Sequence, residues 1–418
     1  MTDHYFKKRG VFIITVSVIL SAYVVCAEET EKPAEKAAEP VSEPAFELKA
    51  LYTGEEWYNA SGGLKQATTN IDNIDLSLAF DAEKKFGWTG ATFMLDGLYN
   101  NGRSADSLTG ATQQVSPIDS IGPQIFRLYQ AWYNQDFFNG KTSVMTGLFD
   151  LNTDFDELDS AALFFNSGYS WNSVLDQSGR NGPSTFPNTS LGTRVRQRLD
   201  NAQAWTVEAA VVDGVPDNPD HPRENTININ HNNGALIIGE GYYHPDDHTK
   251  ILLGLWRYTG TFADQTVVDI NGNPRQDSDN EGAYAGIHKR LYTIQGRRGI
   301  DGFANVGIGN GDINQFDRTL DVGVNFTGPI PSRGSDQLGF AWNIAHNSNS
   351  YQEAEAAAGT PAQSNEMDYE LTYRATIIDD VLVIQPDVQY IVNPSASPGV
   401  KDSWIFGFHI EIGHEMMF

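Results

Sequence analysis

The sequence predicts an all-β chain: a transmembrane antiparallel up-and-down β-barrel of about sixteen strands, with long extracellular loops and short periplasmic turns. Three observations predict it. The stretch Trp404–Phe418 alternates, with Trp404, Phe406, Phe408, Ile410, Ile412, Met416 and Phe418 on one parity and Gly407, His409, Glu411, Gly413 and Glu415 on the other. Period two with one apolar face is a strand between an apolar and a wet side. Second, polar breaks alternate long and short along the whole chain. Third, beyond the N-terminal leader no run approaches the ~18 apolar residues a spanning helix needs, so any crossing is made by strands.

Taken from the start, Lys7, Lys8 and Arg9 precede an apolar run from Val11 to Val25, then Cys26, Ala27 and Glu28. A basic region, a short apolar core and a small residue before an acidic start read as a signal peptide over residues 1–27, cleaved after Ala27. Cys26 is the chain's one cysteine and falls in that leader, so no disulfide is expected beyond it. Residues 28–45 are rich in Glu, Ala, Pro and Lys and read as a disordered periplasmic tether. Pro33, Pro40 and Pro44 interrupt any long helix there. The barrel domain is expected over 46–418.

The net charge is −26; the leader holds Asp3 against Lys7, Lys8 and Arg9, net +2, which leaves the rest of the chain at −28. With no basic stripe to meet phosphates, nucleic acid is excluded as a partner. The acidic surplus gathers in loops. There it is expected to face lipopolysaccharide phosphates through bridging divalent cations.

Alternation is plain at Ile74-to-Phe80, Leu320-to-Phe326, Leu338-to-Ile344 and Met367-to-Ile377, each about one crossing long. It is weak at Val144–Phe149 and Ile251–Tyr258. Short breaks fall near Glu83–Gly87, Phe137–Lys141, Leu199–Ala202, Pro245–Thr249, Gly296–Gly299, Gly328–Gly334 and Ile378–Asp380. Long ones fall near 59–70, 101–123, 150–189, 214–233, 260–280, 309–316, 346–366 and 393–402. Charge placement agrees. Arg374 shares the parity of Asp368 and Glu370, and Arg194, Arg196 and Arg198 share one parity against Val195 and Leu199. A Lys or Arg on the lipid face at mid-membrane costs about 2–4 kcal/mol, so these side chains are expected to face the lumen.

Catalytic signatures are absent: no G-x-S-x-G elbow, no H-E-x-x-H, no P-loop. Neither an enzyme activity nor a cofactor is expected. The glycines of Gly307-Ile308-Gly309-Asn310-Gly311 read as a turn between strands. Asp150, Asn152, Asp154 and Asp156 alternate like the start of a calcium loop, but Phe155 and Ala161 stand where such a loop needs Gly and Glu. They read as solvated or hydrogen-bonded loop acids.

Two resemblances follow. The amphipathic ending closed by Phe418 resembles the last strand of bacterial outer-membrane barrels, which implies recognition by the barrel assembly machinery. Four blocks resemble the carbohydrate-selective porin family called OprB. They are Gly147–Asp156 continuing through Ser160–Ser167; Arg127-Leu128-Tyr129-Gln130-Ala131-Trp132, where the family usually carries Glu in place of Gln130; Asn181–Ser184 with Phe186-Pro187 and Thr189–Gly192 leading to Arg194 and Arg196; and Gln385–Pro394. The resemblance implies an outer-membrane barrel with loops folded inward, passing sugars passively. A general or anion-preferring porin on the same barrel, and a secreted β-rich binding protein without a pore, are the alternatives. Monomer and homotrimer are both open.

The break 150–189 is the longest and too apolar to hang in water, with Leu163, Phe164, Phe165, Tyr169 and Trp171 close together. It is expected to fold into the lumen and make the constriction. Asp150, Asn152 and Asp154 would then face Arg127, Arg194 and Arg196 across the narrowest point, with Tyr169 or Trp171 stacking on a sugar ring. The other reading of these arginines is structural, as salt bridges tying the loop to the wall.

Overall fold

The structure is a computed structural model that describes residues 44–119, 125–200, 202, 204–222, 227 and 233–417. The leader 1–27, the tether through residue 43 and Phe418 lie outside the described residues. In chain order the first strands are β1 (Phe46–Gly63), β2 (Thr68–Asp81), β3 (Ala91–Gly102), β4 (Ile125–Phe137), β5 (Thr142–Phe149), β6 (Ser190–Arg198), β7 (Trp205–Asp213), β8 (Ala235–Asp246) and β9 (Thr249–Tyr258). A separate hairpin follows, β10 (Phe262–Val268) and β11 (Pro274–Asp277). Then come β12 (Glu281–Gln295), β13 (Arg298–Gly309), β14 (Phe316–Thr327), β15 (Gln337–Asn347), β16 (Asn365–Ile378), β17 (Leu382–Val392) and β18 (Lys401–Met417). Sixteen of these, all but β10 and β11, pair antiparallel with their neighbours, and β1 pairs with β18 to close the barrel. Closure leaves no edge strand with unpaired backbone groups, the condition for crossing lipid.

The parity read from sequence is the parity observed. On β18, Trp404, Phe406, Phe408, Ile412 and Met416 are exposed on the lipid side while Ser403, Ile405 and His409 are buried inside. On β16, Tyr369 and Leu371 face out while Asp368 and Glu370 are enclosed. Arg374 points inward and pairs with Glu411 at 2.9 Å. Aromatic belts mark both membrane edges. Trp342, Tyr369, Tyr390 and Trp404 follow one another at 6.3, 6.3 and 4.6 Å near the long-loop end. Phe46, Phe80, Phe93 and Tyr133 do so at 4.7, 5.9 and 4.9 Å near the short-turn end.

Two sequence expectations change. The first long break shrinks to residues 64–67, because β1 and β2 pair through Tyr58↔Thr68. This hairpin continues beyond the lipid band, so its outer residues are polar and read as loop. Gly307 and Gly309 belong to β13 rather than to a turn. The weakly alternating Ile251–Tyr258 is a full strand: Leu253 and Leu255 meet lipid while Leu252, Trp256 and Tyr258 are buried inside. Both faces are apolar because the inner one is covered by protein, which erases the alternation.

Candidate functional site

The lumen is filled from one side. Residues 150–189 leave β5 and fold inward against β7–β9 and β12–β15. Phe149, Leu151, Phe155, Leu158, Leu163, Phe164, Tyr169, Trp171, Val174 and Leu175 form one core with Ala210, Val212, Leu236, Ile238, Leu252, Trp256, Tyr258, Tyr284 and Phe303. Full burial of such a side chain is worth about 1.5–3 kcal/mol, so undocking the loop would expose many of these at once. Wall carboxylates take the loop's backbone donors. Glu370 accepts from the backbone N–H of Phe165 at 2.7 Å and of Asn166 at 2.9 Å. Glu240 accepts from Asp156 N–H and from the Tyr284 hydroxyl, both at 2.8 Å. Gln385 donates to the Leu163 carbonyl at 2.8 Å. A second loop, between β3 and β4, is held likewise: Glu366 accepts from Thr112 and Gln113 N–H at 3.0 and 2.7 Å.

Space remains along the opposite wall, β3–β6. There a cavity of about 450 Å³ is lined by Met94, Gln130, Trp132, Asn134, Ser143, Asp154, Arg194, Arg196 and Arg198, among others. Asp154 stands at its centre. Its carboxylate accepts from Arg194 Nε at 3.0 Å and from Arg196 Nη2. Arg196 Nε also donates to Glu208 at 2.7 Å, and Arg194 Nη1 to the Ser143 hydroxyl at 3.0 Å. The two arginines differ in access: the Arg194 side chain is 6% exposed and the Arg196 side chain 25%. Arg194 is the tie between loop and wall; Arg196 also meets the pore.

The other expected residues part company. Asp150 is buried and accepts from the Tyr129 hydroxyl and from Asn152 N–H, while the Asn152 side chain donates to the Ser170 carbonyl at 3.1 Å. Both shape the root of the loop and lie away from the cavity wall. Tyr169 and Trp171 are each 2% exposed, inside the loop's own core. The Tyr169 hydroxyl donates to Asp368 at 3.0 Å. The expected stacking on a sugar is corrected here, because enclosed rings offer no free face. Arg127 pairs with Asp217 and donates to Asn188 at 2.9 Å, lining a separate cavity nearer the outer mouth. It does not meet Asp154.

The aromatic that sequence reading missed is Trp132. Simple alternation from the buried Arg127 would send it to lipid. Between Asp96↔Gln130 and Gly97↔Leu128 the register slips by one residue. This β-bulge adds Tyr129 and turns Gln130, Trp132 and Asn134 inward. Trp132 Nε1 donates to Gln130 Oε1 at 3.3 Å, and Gln130 Nε2 to Asp96 at 3.5 Å. The amide both donates and accepts, where a carboxylate would face Asp96 with like charge. A one-residue slip leaves no mark in a sequence pattern, but the Arg127–Trp132 motif lies across it.

Asp156, in the loop, is enclosed by Asn172, Asn305, Glu240 and Lys250, and burial pushes its carboxyl up to about 7 from 3.8. A carboxyl raised in the docked state holds its proton more tightly there. Docking is therefore favoured at low pH and weakens as pH rises from about 4 to about 7. Single-channel recordings should show quieter currents at pH 5 than at pH 8. Asp156→Asn should flatten that difference, since its amide can accept from Asn172 N–H and, once the Asn305 amide that now donates through Nδ2 turns over, donate to Asn305 Oδ1. An undiminished pH effect in the variant would assign it to other groups.

Comparison with known proteins adds a further line. Residues 65–413 match the family described as carbohydrate-selective porin, OprB family. Porin B of Pseudomonas aeruginosa is 24% identical over 404 residues, covering 88% of this chain and 87% of that protein. The high-pH structure of Pseudomonas putida OprB aligns with a TM-score of 0.79 at 22% identity, over 88% of this chain and 94% of that one. The low-pH structure of the same protein aligns at 0.56 and 19% identity, over 88% and 93%.

Proposed function

The chain belongs to the OprB family of carbohydrate-selective porins, and on that premise we propose that its pore passes monosaccharides such as glucose along the β3–β6 wall, with Arg196, Asp154 and Trp132 as the contacts. It is an outer-membrane diffusion pore rather than an enzyme, and the reading of a secreted protein without a pore falls away. No turnover is involved. A solute meets a water-filled constriction and binds weakly enough to leave again. A hexose presents a C–H face and a rim of hydroxyls. Trp132 offers the face an aromatic surface, and the Asp154–Arg196 pair offers the rim an acceptor and donors.

The observation that carries this reading is the juxtaposition of the partly buried Trp132 with the Asp154–Arg194–Arg196 cluster in one open cavity. Glucose block of the ion current through the purified protein in a planar bilayer tests it. Trp132→Ala is expected to weaken block while leaving ion conductance equal or higher. Unchanged block would move the sugar contact elsewhere.

One observation favours a second reading. Arg196, Arg198 and Lys141 line the same cavity with only Asp136 and Asp154 as acids. An anion-preferring pore would show a reversal potential displaced toward chloride in a KCl gradient, and no glucose block.

A further inference from the structure

The outward face above β12 and β13 carries features that lipid contact alone does not call for. At the long-loop end, Arg257 of β9 and Arg318 of β14 both stand on the lipid-facing parity, with side chains 55% and 61% exposed. They are separated by two strands. Arg257 lies opposite Glu281, and Arg318 lies opposite Ile308. Each is held in place. Arg257 pairs with Glu281 at 2.9 Å, and Arg318 Nη2 lies 2.9 Å from His346 Nε2, whose other ring nitrogen meets Asp317 at 2.7 Å. In a chain of net charge −26, two outward arginines near the same end of the barrel are against the trend.

Directly below them the barrel wall is grooved. Leu255, Ala283 and Ile308 line one hollow beneath Arg257. A second hollow lies lower, over Gly302 and Ala304 between Ile287 and Val322, with Trp342 at its side. Ala304 pairs with Ile287, and Ala283 is four residues before it on the same strand, so the two hollows succeed each other along the strands. The Trp342 indole N–H is buried and has no hydrogen-bond partner among the described residues. Trp342 belongs to the aromatic belt of the long-loop end, so Arg257 and Arg318, nearer the strand ends, stand on its aqueous side.

We propose that this face docks a phosphorylated glycolipid of the outer leaflet, of lipid A type. Its sugar phosphates would meet Arg257 and Arg318, and its acyl chains would lie in the two hollows. The arginines select the occupant: each rests against a carboxylate, Arg257 against Glu281 and Arg318 against Asp317 at 3.8 Å, which a phosphate would displace. Two cations at the outer belt, spaced across β12 and β13, suit a headgroup bearing more than one phosphate, and several acyl chains suit two successive hollows. Lipid contact through divalent cations at the acidic loops would not need these arginines, so this is a separate and direct site. It is independent of which solute the pore passes.

Native mass spectrometry of the intact detergent-purified barrel tests it, with Kdo2-lipid A as the probe and phosphatidylglycerol as the comparator. Chelator is present throughout to remove cation bridging. The wild-type protein is expected to retain lipid A. Arg257→Ala with Arg318→Ala should weaken retention about tenfold, and Arg257→Lys with Arg318→Lys should keep most of it. Ala283→Trp fills the upper hollow with both cations intact and should also lose lipid A. Single-channel conductance of all variants should equal wild type, which reports that each barrel is folded. Equal retention by the alanine pair overturns the proposal. So does equal binding of phosphatidylglycerol with the same response to the variants, which marks an ordinary lipid annulus. A protein that runs as an oligomer with no lipid, and as a monomer once the arginines are removed, would make this face a contact between copies and overturn it too.

Discussion

Replacing Arg196 with alanine is expected to raise single-channel conductance and to weaken glucose block by about tenfold, the loss expected for one hydrogen bond to a charged group. Arg196 is the cluster's pore-facing member. It spans Asp154 on the loop and Glu208 on β7, so its removal widens the passage and takes donors from the sugar's path. Arg194→Ala should act differently. Arg194 is enclosed behind Asp154 and tied to Ser143, so its loss leaves Asp154 with one partner and loosens the loop. Noisier currents with modest change in block are expected there. The double variant should show both effects. Bilayer recordings across a glucose series separate the three. If Arg196→Ala blocks as wild type does, these arginines are structural and the sugar contact lies elsewhere.

The second large effect is expected from Gly307→Val. Gly307 lies on the inner face of β13, opposite Tyr284 and Thr319. A Cβ there would sit 2.0 Å from Asn172 Oδ1, in a segment whose amide donates to Thr319 Oγ1 at 2.7 Å. No rotamer of a valine avoids that overlap, so the Asn172 side chain must leave its place and give up its bonds to Thr319 and to the Val174 N–H, which loosens the loop's seat. Overpacking of this kind costs about 1–3 kcal/mol, set against the loop's docking rather than against the barrel ladders. The barrel should assemble, conductance should rise well above the Arg196→Ala value, and a disaccharide excluded by wild type should enter in liposome swelling. Gly307→Ala should give the same change in milder form. Wild-type conductance in Gly307→Val would mean that Asn172 does not position the constriction. A glycine read in the sequence as turn punctuation is thus the seat of Asn172 in the folded loop.

The comparison of these residues shows how far local pattern reaches. The inward side of Arg196 is legible: it shares a parity with Arg194 and Arg198 and follows the long loop directly. Asp154 was legible as a loop acid at the base. Trp132 was not, because one extra residue at Tyr129 reverses the parity of everything after it without altering composition. Tyr169 and Trp171 were correctly read as too apolar for water. Their destination was not readable, since a loop has no period to tell an inward ring from a pore-facing one. It was decided by partners far away in the chain, Asp368, Glu370 and Phe303 among them. Arg127 has the right charge and the right parity, yet Asp217 and Asn188 claim it at another height of the lumen.

The sequence by itself determined the barrel: period-two patterning, alternating break lengths and the placement of strand charges are local or additive features, and lipid on one side with water on the other makes them decisive. It also determined that residues 150–189 must be covered by protein. The tertiary structure alone decided which luminal side chains remain open, because that depends on where the loop's core settles. It settled against β7–β9 and β12–β16, where Gly307, Gly309 and Ala210 leave room and the carboxylates of Glu240 and Glu370 wait for backbone donors, and so a cavity is left along β3–β6.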